Sequence, residues 1–206
     1  MKLKVCGMKY VDNLMMVAAV QPDYLGFIFY DKSKRNFEGV IPKLPKGIKK
    51  TGVFVNEYLE IVVSLTEEYG LAAIQLHGDE TPDYIKELKV HLPNIEIIKV
   101  FGIKNEFDFS ILEPYQNEVD YFLFDTKGKE RGGNGVKFDW SVLKNYPYSK
   151  PFFLSGGIGP EDVEEVKKIK DSGLPVFAVD VNSRFEMKPG LKNVKEVKKF
   201  KNSLAV

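Results

Sequence analysis

The chain has 206 residues, a formal net charge of +1, 44% hydrophobic residues and one cysteine. That length bounds it to one large domain or two small ones, and one cysteine excludes an internal disulfide framework. No apolar stretch approaches the roughly 20 residues of a membrane span, and the near-balanced charge asks for neither nucleic acid nor membrane.

Short apolar runs alternate with amphipathic stretches along the chain. The first run, Lys2–Cys6, predicts a strand that ends on the lone cysteine and is followed at once by Gly7. A strand beginning at the second residue leaves no room for a signal or transit peptide, and a lone free thiol fits a reducing cytoplasm. Val11–Val20 predicts a helix, with Leu14, Val17 and Ala18 on one face. A second strand follows at Asp23–Phe29. Pro42 and Pro45 then break any long helix across Arg35–Ile48, so the second helix is expected to be short or irregular.

The third strand is expected at Thr51–Asn56 and a helix at Glu57–Tyr69. A fourth strand, Ala72–His77, precedes a helix opened by Thr81 as cap and Pro82 at its first position. Strands at Glu96–Phe101, Asp120–Asp125, Pro151–Ser155 and Val176–Val181 complete a set of eight. Gly159-Pro160-Glu161 opens a further helix, and Lys192–Phe200 closes the chain. Lys192, Lys195, Lys198 and Lys199 have helical spacing there, which reads as a solvated helix face.

Strand starts are separated by 21 to 31 residues, room for one strand, one helix and two turns. The runs are apolar almost throughout, as in parallel strands covered on both faces. Eight such units without a linker predict one (β/α)8 barrel over residues 1–206. A doubly wound open sheet is the other reading, but no Gly-x-Gly-x-x-Gly follows the first strand.

In such a barrel, chemistry sits at the carboxyl ends of the strands. Cys6 lies at one, although most free cysteines are small buried hydrophobes. Asp125 ends Tyr-Phe-Leu-Phe-Asp. Its apolar neighbours tend to raise a carboxyl pKa, which suits a general acid; a carboxylate satisfied by loop N–H groups is the plainer role. Gly132-Gly133-Asn134-Gly135, further along, is a stretch that could cover the site. Arg35 offers a planar fork for a carboxylate, or else a surface ion pair. His77 suits substrate binding and a loop carbonyl equally. Ser155-Gly156-Gly157 and Val179-Asp180-Val181-Asn182-Ser183 end the last two strands. Glycine lets backbone N–H groups approach an anion, so these loops form a candidate phosphate cup.

Together these pieces resemble the phosphoribosylanthranilate isomerase family. The matching segments include Lys4-Val-Cys6-Gly7-Met8, Ser33-Lys-Arg35, Gln75-Leu-His77-Gly78-Asp79-Glu80, Phe124-Asp125-Thr126, Leu154-Ser-Gly-Gly157-Ile and Val179-Asp180-Val-Asn-Ser183. They run in family order over nearly the whole chain. The resemblance implies an Amadori rearrangement in tryptophan biosynthesis by general acid–base catalysis. It makes Asp125 the acid and Cys6, as thiolate, the base. It places Arg35 on the anthranilate carboxylate, and Gly156, Gly157, Ser183 and the backbone at Arg184 around the phosphate; His77 and Asp180, at strand ends, are read as substrate-binding. Many relatives carry a small residue where Arg184 stands. No metal or other cofactor is implied, and the expected partner is a small phosphorylated substrate, with the chain a monomer or homodimer. A carbon–carbon synthase of the indole-glycerol-phosphate type is the competing enzyme. It would show a lysine at a strand end, whereas Lys99 falls inside the fifth strand. A non-catalytic phosphosugar-binding barrel would need neither Cys6 nor Asp125.

Overall fold

The computed structural model describes residues 1–128 and 137–204. Eight parallel strands close a barrel in chain order: β1 (Lys2–Val5), β2 (Tyr24–Phe29), β3 (Lys49–Phe54), β4 (Ala73–Leu76), β5 (Glu96–Ile103), β6 (Tyr121–Thr126), β7 (Phe152–Leu154) and β8 (Val176–Val181). β1 pairs with β8, Lys4 opposite Asp180, which seals the barrel. All eight expected strands are present. β3 begins two residues early, and β7 keeps only three residues.

Among the described residues, five α-helices pack outside: α1 (Val11–Ala18), α2 (Leu59–Tyr69), α3 (Pro82–His91), α4 (Val163–Asp171) and α5 (Val194–Leu204). Thr81 caps α3 by accepting from the Tyr84 N–H at 3.2 Å, and Pro82 takes the first turn, where no N–H is needed. After β2 the chain runs irregularly, and Phe37 anchors it against Phe27, Phe29 and Tyr69. The β5 and β6 units use tight 3₁₀ turns instead of α-helices, Phe109–Tyr115 and Trp140–Asn145. Pro114 lies inside the first of these, without an N–H to donate. Gly159 likewise opens a short 3₁₀ turn, Pro160–Asp162, before α4 begins.

The carboxyl end of the chain departs from expectation. Between β8 and α5 a small antiparallel hairpin forms, β9 (Glu186–Lys188) with β10 (Leu191–Lys192). Lys192 therefore does not belong to a solvated helix face. It ends β10, 1% exposed, with its ammonium on Glu186 and Asn182, each at 2.6 Å. Strands of three and two residues carry no alternating apolar signal, so the pattern mimics a helix start.

Side chains alternate in and out along each strand. Tyr24, Ala73, Ile98, Val100, Leu123, Phe153 and Ala178 form the buried plug of the barrel. Leu3, Val5, Ile97, Phe122 and Phe124 belong to the larger outer cluster packed under the helices. Each fully buried side chain of this kind contributes about 1.5–3 kcal/mol relative to exposure. Two residues beyond the plug, the inward positions turn polar: Gln75 after Ala73, Asp125 after Leu123, Ser155 after Phe153 and Asp180 after Ala178. The apolar plug thus fixes which way each of these groups points.

Candidate active site

The carboxyl ends of the strands bring together most of the residues singled out from the sequence. Cys6 is one residue past β1, 4% exposed, and its N–H donates to the Val181 carbonyl at 2.9 Å. Gly26 faces it from β2. A Cβ there would stand 2.7 Å from the Cys6 sulfur, so only glycine leaves room for the thiol. Burial raises the thiol pKa; the ammoniums of Lys4 and Lys192 oppose that rise and Asp180 adds to it.

Asp125 lies in β6 and is 9% exposed. One carboxylate oxygen accepts from the Thr126 N–H at 2.8 Å, and the other is 3.5 Å from His77 Nε2. Burial pushes its carboxyl up to about 7. The Thr126 N–H and Lys4 resist the rise, and Asp180 supports it. A carboxylic acid that keeps its proton near neutrality can give it away there. Asp125, His77, Phe101, Phe107, Tyr115 and Thr126 line a cleft of about 520 Å³. Aromatic rings on one side and the charged or polar groups of His77, Asp79, Asp125, Thr126 and Lys127 on the other suit a ligand with an aromatic part and a polar one.

His77 is held from below. The Gln75 side chain reaches its Nδ1 at 3.4 Å. The next turn is pinned by Glu80, which accepts from the N–H groups of Gly78 and Asn56, while buried Lys99 donates to the Gly78 carbonyl at 2.7 Å and to Glu80 at 3.0 Å. Lys99 thus holds the loop that carries His77.

Arg35 meets Glu186 of β9. Its Nε donates to both carboxylate oxygens at 2.9 and 3.1 Å, and its Nη2 donates at 2.7 Å. Burial alone would raise the Glu186 pKa, yet Arg35, Lys192 and the Gly190 N–H hold it below the usual carboxylate range. The charge chain Arg35–Glu186–Lys192–Asn182 ties the β2 loop to the β8 loop. Gly7 fits against it: a Cβ at residue 7 would lie 2.7 Å from Asn182 Oδ1 and 2.8 Å from Arg35 Cδ.

At the expected phosphate cup, Gly156 and Gly157 adopt φ of 90° and 66°, the left-handed region that glycine tolerates. The space at Gly156 is taken by Thr126, whose Oγ1 would be 2.5 Å from an added Cβ. Glycine is thus needed there to let the β7 loop pack onto β6. Ser183 opens the 3₁₀ turn Ser183–Phe185 after β8. The Arg184 side chain runs outward and pairs with exposed Glu161. Asp180 points inward, 6% exposed, bonded to Lys4 at 2.9 Å and to Ser155 Oγ at 3.3 Å. The stretch Gly132–Gly135 lies outside the described residues.

Sequence reasoning gave no site role to Lys4, Glu186 or Lys192. Lys4 carried a signal, a charge at an inward position of an apolar strand. Glu186 and Lys192 sit in the hairpin that the pattern hid. Among the described residues, no group of three or more His, Cys, Asp or Glu could hold a metal, and no helix is long and apolar enough to cross a membrane.

Comparison with known proteins agrees with this geometry. A family model described as N-(5'-phosphoribosyl)anthranilate (PRA) isomerase matches residues 3–203. An N-(5'-phosphoribosyl)anthranilate isomerase of Parabacteroides distasonis is 41% identical over 207 residues, covering 97% of this chain and 91% of the relative. The crystal structure of phosphoribosyl anthranilate isomerase from Thermotoga maritima superposes with a TM-score of 0.82 at 32% identity, covering 99% of this chain and 98% of the other. Another crystal structure of the enzyme, in complex with reduced 1-(o-carboxyphenylamino)-1-deoxyribulose 5-phosphate, has a TM-score of 0.80 at 30% identity, with 99% and 98% covered. On these matches and this barrel, the chain belongs to the N-(5'-phosphoribosyl)anthranilate isomerase family.

Proposed function

We propose that Asp125 is the general acid and Cys6 the general base of the isomerisation performed by this family, with residues 1–206 acting as one catalytic barrel. The reaction converts N-(5'-phosphoribosyl)anthranilate to 1-(2-carboxyphenylamino)-1-deoxyribulose 5-phosphate, a step of tryptophan biosynthesis. Asp125 gives its proton to the ribose ring oxygen; the ring opens and the nitrogen becomes an iminium. The Cys6 thiolate removes the C2 proton, and that electron pair neutralises the iminium to give an enol-amine. Protonation at C1 and loss of the O2 proton then give the ketone. Atoms balance through proton transfer alone.

The observation that carries this reading is the Asp125 carboxyl, buried and pushed up to about 7. Arg35, fixed by Glu186, is the cation for the anthranilate carboxylate. His77 and Asp180 border the reacting sugar, and the backbone around Gly156, Gly157, Ser183 and Arg184 receives the phosphate. The ligand in the related complex carries an aromatic carboxylate at one end and a phosphate at the other. An arginine fork and a glycine loop on separate strand ends offer one partner for each of those groups.

The test is the fluorescence decay of freshly made phosphoribosylanthranilate. Asp125→Asn and Cys6→Ser, both near-isosteric, are each expected to lose roughly 10²–10⁴-fold in kcat with little change in KM. Wild-type turnover in either variant would remove that residue from its role.

A further inference from the structure

The proposed base creates a difficulty for the fold. Burial raises the Cys6 thiol pKa, whereas the reaction needs the thiolate. Something nearby must favour the charged sulfur, and β1 carries the candidate. Lys4 is two residues before Cys6, on the same inward face of the strand. Its side chain is fully buried. A buried ammonium survives only with partners, and Lys4 has them. Asp180 of β8 lies directly across the sheet pairing, 2.9 Å from Lys4 Nζ. Of the cations around Cys6, the same ammonium is the one that most favours the charged sulfur.

We propose that Lys4 is the positioning residue of this active site: its buried ammonium, held in place by Asp180, is the counter-ion of the Cys6 thiolate. The proposal rests on the reading of Cys6 as base and adds how the thiolate is sustained. Lys4 does not touch the substrate; it acts through the sulfur. Asp180 thereby takes a second task. It keeps Lys4 charged and aimed, with Ser155 Oγ bonded to its other oxygen at 3.3 Å.

The charged groups around the thiol sort by sign. Lys4 of β1 and Lys192 of β10 favour the thiolate, and Asp180 of β8 opposes it. Gly26 of β2, which faces the sulfur most closely, contributes no charge. Lys192 is already committed to Glu186 at 2.6 Å and Asn182 at 2.6 Å. Its pKa falls to about 8, burial being the main cause, so it loses charge as the solution becomes alkaline. Burial lowers the Lys4 pKa too, but Asp180 and Cys6 outweigh it and the net shift is upward. Lys4 is therefore the cation that persists over the range in which the thiol titrates.

One cysteine makes the test direct. Protein labelled with ¹³C at cysteine Cβ gives a single resonance, and its shift with pH reports Cys6 alone. Lys4→Met is expected to move the titration midpoint up by about one pH unit or more, the usual effect of removing an adjacent opposite charge. Asp180→Asn is expected to move it down, because the opposing anion is gone while the Asn amide oxygen still accepts from Lys4 and holds it beside the sulfur. A merely structural role for the pair would not give shifts of opposite sign. An unmoved or lowered midpoint in Lys4→Met overturns the proposal. If Lys4→Met does not fold, an unmoved or raised midpoint in Asp180→Asn overturns it equally. The base assignment fails separately, through full turnover in Cys6→Ser, whatever the titrations give.

Discussion

As the proposed acid, Asp125 would serve the reaction at the expense of the fold. Its carboxyl titrates at about 7 in the folded barrel, against 3.8 when free. Below both values it is protonated in either state and costs nothing. Between them the unfolded chain sheds a proton that the folded chain keeps, so stability falls as pH rises through that window. Above it the full cost of the buried charge is present, on the order of 4 kcal/mol at 1.36 kcal/mol per unit. Asp125→Asn removes the charge and retains an oxygen for the Thr126 N–H. Thermal melting should show the variant more stable than wild type at about pH 8, by roughly 2–4 °C for each kcal/mol recovered, and far less so at about pH 4.5. An equal difference at both values would mean the carboxyl does not titrate as described. Arg184 makes the opposite case. Its side chain spends itself on Glu161 at the surface, where such pairs are worth little. Arg184→Ala keeps the backbone N–H, so its KM should stay within about twofold of wild type, a change of under 1 kcal/mol. A tenfold rise would turn the side chain inward to the phosphate.

At the scale of elements, the hairpin β9–β10 contributes most to the site and was least visible beforehand. The eight strands were legible because each is an uninterrupted apolar run, and α3 announced itself through Thr81 and Pro82. The hairpin has no such run: Glu186, Lys188 and Lys192 read as surface, yet Glu186 and Lys192 are buried against one another. Only tertiary contact with Arg35, 151 positions away, explains them. The same blindness applies to Lys4, whose partner Asp180 is 176 positions distant. Cys6, Asp125 and the glycine loops were legible because strand ends in a barrel are few and their residue types are chemically distinctive. The 3₁₀ turns after β5 and β6 carry no signal of their own, because apolar residues three apart, such as Phe109 and Leu112, fit an α-helix as well. The hairpin also makes a prediction. Glu186→Gln removes the charge that locks the Arg35 fork and leaves Lys192 without its anion. Calorimetric titration should show the aromatic-carboxylate product bound about tenfold more weakly, about 1.4 kcal/mol, with inorganic phosphate affected little. Equal weakening of both ligands would place Arg35 at the phosphate end instead.

For the whole molecule, the barrel places an acid on β6 and a thiol after β1 in one mouth and separates their pKa values in an unusual order. The carboxyl titrates at about 7 and the thiol above its ordinary 9.0. The form that the proposed mechanism needs, carboxyl protonated and thiol ionised, is therefore the minor one at every pH. Below about 7 the carboxyl stays protonated and the thiolate fraction rises tenfold per unit. Above about 7 each gain in thiolate is offset by loss of the acid, and the product is flat until the thiol itself titrates. The measurement that tests the account most directly is the pH dependence of kcat/KM for wild type and Asp125→Asn, followed by fluorescence decay. Wild type should rise, bend at about 7 and run level. Asp125→Asn, though far slower, should rise straight through that value without a bend, because only the thiol still titrates. A bend at about 7 that survives in Asp125→Asn would contradict the assignment of the acid, and with it the reading of this barrel mouth.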